Sequence, residues 1–131
     1  DSSGEYYWNT ETNFLYYWPE TDFAISEIVF SQIKDSLFTL EDASYISFES
    51  VTAKYFRNGF VSGSGNNITV AKCELSSMAG PAAVLLTGDF ITVKGCHIHE
   101  LSAAGIHVQT GDIASQRQGH TVISDNIIHD F

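Results

Sequence analysis

Apolar positions recur along this chain at two periods at once. Within short segments the period is close to two: in Ile91-Thr92-Val93 and in Cys96-His97-Ile98-His99, apolar and polar residues alternate, as they do in strands with one buried face. Across the chain the segments themselves repeat. Ile46-Ser47-Phe48 aligns with Ile68-Thr69-Val70, Ile91-Thr92-Val93 and Thr121-Val122-Ile123 at offsets of 22, 23 and 30 residues. The same offsets put Val51, Cys73, Cys96 and Asn126 in one column, Ala53, Leu75, Ile98 and Ile128 in a second, and Phe56, Met78, Leu101 and Phe131 in a third. A second apolar stretch follows each of the first three segments, at Val61 to Gly63, Val84 to Leu86 and Ile106 to Val108. Gly65-Asn66, Gly88-Asp89 and Gly111-Asp112 then supply turn chemistry.

Each repeat is therefore several short strands joined by tight corners. One repeat cannot bury its inward residues alone, but stacked repeats set like over like at the inter-strand distance of about 4.8 Å. At about 1.5 to 3 kcal/mol for each fully buried large side chain, such columns are the main stabilising term. No stretch keeps apolar residues at i, i+3, i+4 and i+7 for ten or more residues, so an α-rich fold is rejected.

The upstream region is less regular. Ile28, Phe30, Phe38 and Leu40 are expected to form one further, atypical turn, as terminal repeats do. Before it, Glu5-Tyr6-Tyr7-Trp8 and Phe14-Leu15-Tyr16-Tyr17-Trp18-Pro19 flank Asn9-Thr10-Glu11-Thr12-Asn13, which predicts an aromatic β-hairpin with a five-residue loop. Residues 1–22 are assigned to the hairpin and 23–131 to the coils.

Composition narrows the partners. The 131 residues are 44% hydrophobic and 17% charged, enough for one core. A net charge of −10 with only six Lys and Arg disfavours nucleic acid and anionic membranes, leaving neutral sugars or cations as natural partners. No apolar run is long enough to span a bilayer. Asn67-Ile68-Thr69 is a glycosylation sequon, usable at Asn67 if the chain is secreted. Cys73 and Cys96 share an inward column; β-carbons on parallel in-register neighbours point the same way, which favours free thiols over a disulfide.

Taken together, the hairpin, the rungs Asn67-Ile68-Thr69-Val70-Ala71-Lys72-Cys73 and Ile91-Thr92-Val93-Lys94-Gly95-Cys96-His97-Ile98-His99, and the closing Asp125-Asn126-Ile127-Ile128-His129-Asp130-Phe131 resemble the pectate-lyase-like superfamily, and within it the glycoside-hydrolase-like members. The resemblance implies an all-β protein, a right-handed parallel β-helix of about four to five coils behind the hairpin. It also implies an extracellular or cell-surface, carbohydrate-acting protein. Such helices usually have more coils, and an end at Phe131 in mid-rung leaves a strand edge open, so the chain is expected to be a piece of a longer solenoid or assembly.

Outward positions one repeat apart become neighbours. His99 is expected over His129 and Glu100 over Asp130, while His97 shares a column with Glu74 and Ile127. Paired carboxylates are what glycoside hydrolysis requires, one protonating the leaving oxygen and the other attacking or activating water. The candidate catalytic set is Glu100 and Asp130, assisted by His99 and His129. A structural role competes with it, because acidic side chains at corners commonly accept turn N–H bonds. His97, His107, Arg117, Trp8 and Trp18 are candidate substrate contacts, Arg117 because the longer third offset must make the loop around Asp112 to Gln118 protrude. His97 and His99 lie two apart on a strand, matching no recognised zinc spacing, so no transition-metal site and no cofactor are expected. Calcium at acidic corners is compatible with the charge, but the glycine-rich nonapeptide repeat is missing. Two functions follow: a secreted polysaccharide hydrolase, or a non-catalytic structural or carbohydrate-binding segment of an adhesin, fibre or surface appendage.

Overall fold

A computed structural model describes residues 2–22 and 28–131. All regular structure among them is strand. An antiparallel hairpin, β1 (Tyr6–Asn9) and β2 (Phe14–Tyr17), comes first. Ten parallel strands follow: β3 (Phe38–Glu49), β4 (Thr52–Phe56), β5 (Val61–Ala71), β6 (Glu74–Met78), β7 (Ala82–Thr87), β8 (Thr92–Lys94), β9 (His97–Leu101), β10 (Ala104–Gln109), β11 (Val122–Ser124) and β12 (Ile127–His129). One sheet runs β10-β7-β5-β8-β11 with β3 on β5, and the other runs β12-β9-β6-β4. The long strands β3 and β5 each span two faces, so the first half of β5 pairs with β7 while its second half pairs with β8. The result is a three-sided parallel solenoid.

Register follows the sequence columns. Phe48, Val70, Val93 and Ile123 lie one above another, as do Ala53, Leu75, Ile98 and Ile128. Ile68, Val70, Leu75, Val84, Ile91, Val93 and Ile98 are all fully buried in one continuous core. Phe38, Phe48 and Phe60 pack at centroid separations of 4.8 to 5.5 Å at the β3 end of that core.

Corners are made by left-handed backbone. Ser50, Lys72, Gly95 and Asp125 turn the chain between its first two faces with φ of 54 to 62°, and Tyr55, Ser77, Glu100 and Asp130 do so at the next corner with φ of 54 to 66°. Most are not glycine, so each costs about 1 to 2 kcal/mol of steric strain, offset by the columns each corner brings into register. At Gly63, with φ of 127°, a β-carbon would run into the Leu40 carbonyl of the rung below, so glycine is required there by close approach as well as by backbone.

Four expectations need correction. The solenoid has about three turns rather than four to five. Ile28 and Phe30 are exposed and form no strand, because the 28–36 segment lacks the alternation that the later rungs keep. In the hairpin Asn9 pairs with Phe14 inside the ladder, so the loop is Thr10 to Asn13; the Asn9 side chain accepts the N–H groups of Glu11 and Thr12, closing the turn from within the strand. The end of the third column also differs, since Phe131 lies beyond β12 and is 78% exposed. The boundary drawn at residue 23 falls outside the described residues.

Candidate functional site

On β4, β6, β9 and β12, alternation turns every second residue to the outer face of the sheet. Register sets Glu74 beside His97, and His99 beside His129. The three imidazoles form one group: centroids are 4.5 Å apart for His97 and His99, 5.1 Å for His97 and His129, and 5.2 Å for His99 and His129, whose planes are 6° from parallel. His97 Nε2 lies 2.8 Å from His129 Nε2. Glu74 Oε1 approaches His99 Nε2 to 3.8 Å and Lys54 Nζ to 3.9 Å.

The acids at the next corner hold the histidines from behind. Asp130 Oδ2 accepts His129 Nδ1–H at 2.8 Å, and Glu100 Oε1 lies 3.7 Å from His99 Nδ1. Glu100 Oε2 also accepts the Ser77 hydroxyl at 2.6 Å. Both carboxylates are exposed, and their residues occupy successive places in the left-handed corner column, one strand spacing apart.

A second feature sits where the hairpin meets the first coil. A cleft of about 760 Å3 is lined by Tyr6, Trp8, Phe30, Ser31, Gln32, Lys34 and Arg57. Trp8 stacks on Phe30 at 5.6 Å and 12°, which ties the hairpin to the irregular segment and makes one flat wall of the cleft. Tyr6 remains 76% exposed. Lys34 and Arg57 are two of the six cations in a chain of net charge −10, so positive charge is concentrated here.

With these elements placed, the sequence model for a right handed beta helix region matches residues 13–131. The chain belongs to the right-handed β-helix family. The pectate-lyase-like superfamily is consistent with that membership. No curated protein and no solved structure matches the chain.

The remaining candidate residues of this β-helix scatter. His107 is exposed on β10, on a different face from the other imidazoles. Trp18 is 57% exposed on the hairpin, away from the Trp8 cleft and beside Tyr7, Tyr16 and Tyr17. Arg117 does lie in the protruding loop, but its guanidinium turns back to form an ion pair with the largely buried carboxylate of Asp89. Asp89 also accepts the Gly111 N–H at 3.0 Å, so it staples the base of the loop. Asp112 caps the loop from inside, and hydrogen bonds from Ser115 and Ala114 hold its carboxyl below the ordinary range. Asn67 is half-buried at a left-handed corner between the Tyr45 and Phe90 positions of adjacent turns. Cys73 and Cys96 are free and buried. Asn126 uses its amide to accept the Cys96 N–H and donate to the Val93 carbonyl, a structural role.

Local spacing within one strand could not display the first cluster, because its members come from three successive rungs. The columns do contain the signal, since Glu74 and His97 align. Phe30, Lys34 and Arg57 carried no such signal; their convergence depends on how the hairpin seats against a segment without periodicity.

Proposed function

We propose that this β-helix acts on polysaccharide outside the cell, holding a saccharide in the cleft between hairpin and first coil. The observation that carries this reading is the union of flat rings, Tyr6, Trp8 and Phe30, with Lys34 and Arg57 around one cleft. Aromatic faces match the apolar faces of sugar rings, and the two cations favour sugars bearing carboxylate or sulfate groups. Where composition alone favoured neutral sugars, the local charge favours acidic ones. The sequon at Asn67 supports passage through a secretory pathway.

Trp8 lines the cleft and Trp18 is the one other tryptophan, so intrinsic fluorescence reports on the cleft through Trp8. Titration with acidic and neutral oligosaccharides is expected to give a saturable change with the acidic series. Trp8→Ala and Arg57→Ala should each weaken binding by about 5- to 30-fold, corresponding to about 1 to 2 kcal/mol for a lost stacking or charged contact. An unchanged spectrum across both series would remove the reading and leave the scaffold role in an adhesin, fibre or appendage.

A hydrolytic role at Glu100 and Asp130 is a second reading, favoured by their exposure one rung apart with a histidine behind each. Glu100→Gln with Asp130→Asn should abolish glycan cleavage while circular dichroism stays unchanged. Retained cleavage would dismiss the pair.

A further inference from the structure

We propose that Glu74, His97 and His99 form a binding site for a divalent transition-metal ion, with His129 placed to join as a fourth ligand. One ligand atom from each of the first three lies within 4.8 Å of the others, a span that one ion at about 2.0 to 2.2 Å from each can bridge with small rotamer adjustment. Two imidazoles and a carboxylate suit zinc, nickel, copper or ferrous iron. They do not suit calcium or magnesium, which take oxygen ligands.

Two further observations point the same way. His99 Nε2 is buried and has no hydrogen-bond partner, with Glu74 Oε1 3.8 Å away. A buried imidazole nitrogen left unpaired beside a carboxylate and two more imidazoles is what a metal would satisfy. The corner acids supply the outer support that metal-bound histidines usually have. Asp130 accepts from His129 Nδ1, which fixes the tautomer and leaves His129 Nε2 as a lone pair facing His97. Glu100 stands in the same relation to His99, at longer range. In this arrangement Glu100 and Asp130 are positioning residues for the ligands. The proposal does not depend on the saccharide cleft, whose residues are different.

The test uses the purified chain, stripped with chelator and then titrated with Zn2+ by calorimetry and with Co2+ by visible absorption. Saturable one-to-one binding is expected, with the intense d–d bands of a four-coordinate cobalt site. His99→Ala and Glu74→Gln should each weaken zinc binding at least tenfold, and Asp130→Asn should weaken it by about 10- to 100-fold through loss of support. His107→Ala and His120→Ala, which alter histidines outside the group, should leave affinity unchanged. Glu74→Gln is nearly isosteric and half-exposed, so it preserves the fold and keeps the test decisive even if a histidine variant unfolds. Absence of saturable zinc binding would overturn the site. So would affinity untouched by Glu74→Gln, or affinity lost equally with His107→Ala.

Discussion

At the scale of single residues, the interior treats its polar atoms economically. Each buried thiol points at a backbone carbonyl: Cys73 Sγ lies 3.3 Å from the Ala71 oxygen, and Cys96 Sγ lies 3.5 Å from that of Lys94. Burial pushes the Cys96 thiol above its ordinary value, because the thiolate would lose its hydration inside the column. A raised value in the folded state means that the stabilisation is fully present below the unfolded value and is lost as pH rises through the folded one. The window therefore opens above about pH 8.5, the ordinary thiol value. Urea unfolding of the native chain should show its midpoint falling through this range. Cys96→Ala, less stable at neutral pH by the usual cost of a small cavity, should show a shallower alkaline loss; parallel profiles for the two proteins would refute the assignment. Iodoacetamide at neutral pH should modify neither cysteine until the chain unfolds.

At the scale of elements, each rung is a strand set joined by corners, and the corners differ in what holds them. The bend within β5 and the one after β7 are held by backbone: Gly63 and Gly88 lie where a carbonyl of the preceding rung leaves no room for a β-carbon. The long corner between β10 and β11 is held instead by one acid. Asp89 receives Gly111 N–H and Thr110 Oγ1 on one oxygen and Arg117 on the other. Removing it should cost about 2 kcal/mol, as charge-assisted hydrogen bonds to a mostly buried carboxylate do. It should also free Arg117, so Asp89→Ala is expected to be cut by trypsin after that residue at least several-fold faster than the native chain. Asp89→Asn, which keeps an acceptor for Gly111, should fall between. Equal cleavage rates for all three would show that the loop is held by its own internal turn at Asp112. The rungs were legible because period-two alternation and a repeat offset record stacking directly, as the aligned columns of Ile98 and Val93 demonstrate. The staple was not, because nothing in Gly88-Asp89 distinguishes an ordinary turn from an anchor for a loop 28 residues onward. The histidine group lies between these cases: its ladder could be written from the offsets, but the approach of Glu74 to His99 and the support from Asp130 are side-chain facts.

At the scale of the whole molecule, the buried residues among those described run from Ser36 to Gly105, and the hairpin contributes none of them. Parallel stacking makes the solenoid a one-dimensional lattice in which each rung is stabilised by its neighbours. The hairpin stands outside that lattice. Its strands are four residues each, its rings are 41% or more exposed, and an isolated two-stranded hairpin is marginal in water. Its hold on the rest includes the Trp8–Phe30 stack, and an aromatic pair of this kind contributes about 0.5 to 1.5 kcal/mol beyond its buried area. The two parts should therefore lose structure separately. Tryptophan fluorescence sees only the hairpin, whereas far-ultraviolet circular dichroism is dominated by the solenoid, so one urea titration followed by both probes distinguishes them. The fluorescence transition is expected at clearly lower urea, and Phe30→Ala should move it lower still while leaving the circular dichroism midpoint in place. Superimposable curves that shift together in Phe30→Ala would mean that hairpin and coils form one cooperative unit. The cleft would then be a rigid groove rather than one that the hairpin opens and closes.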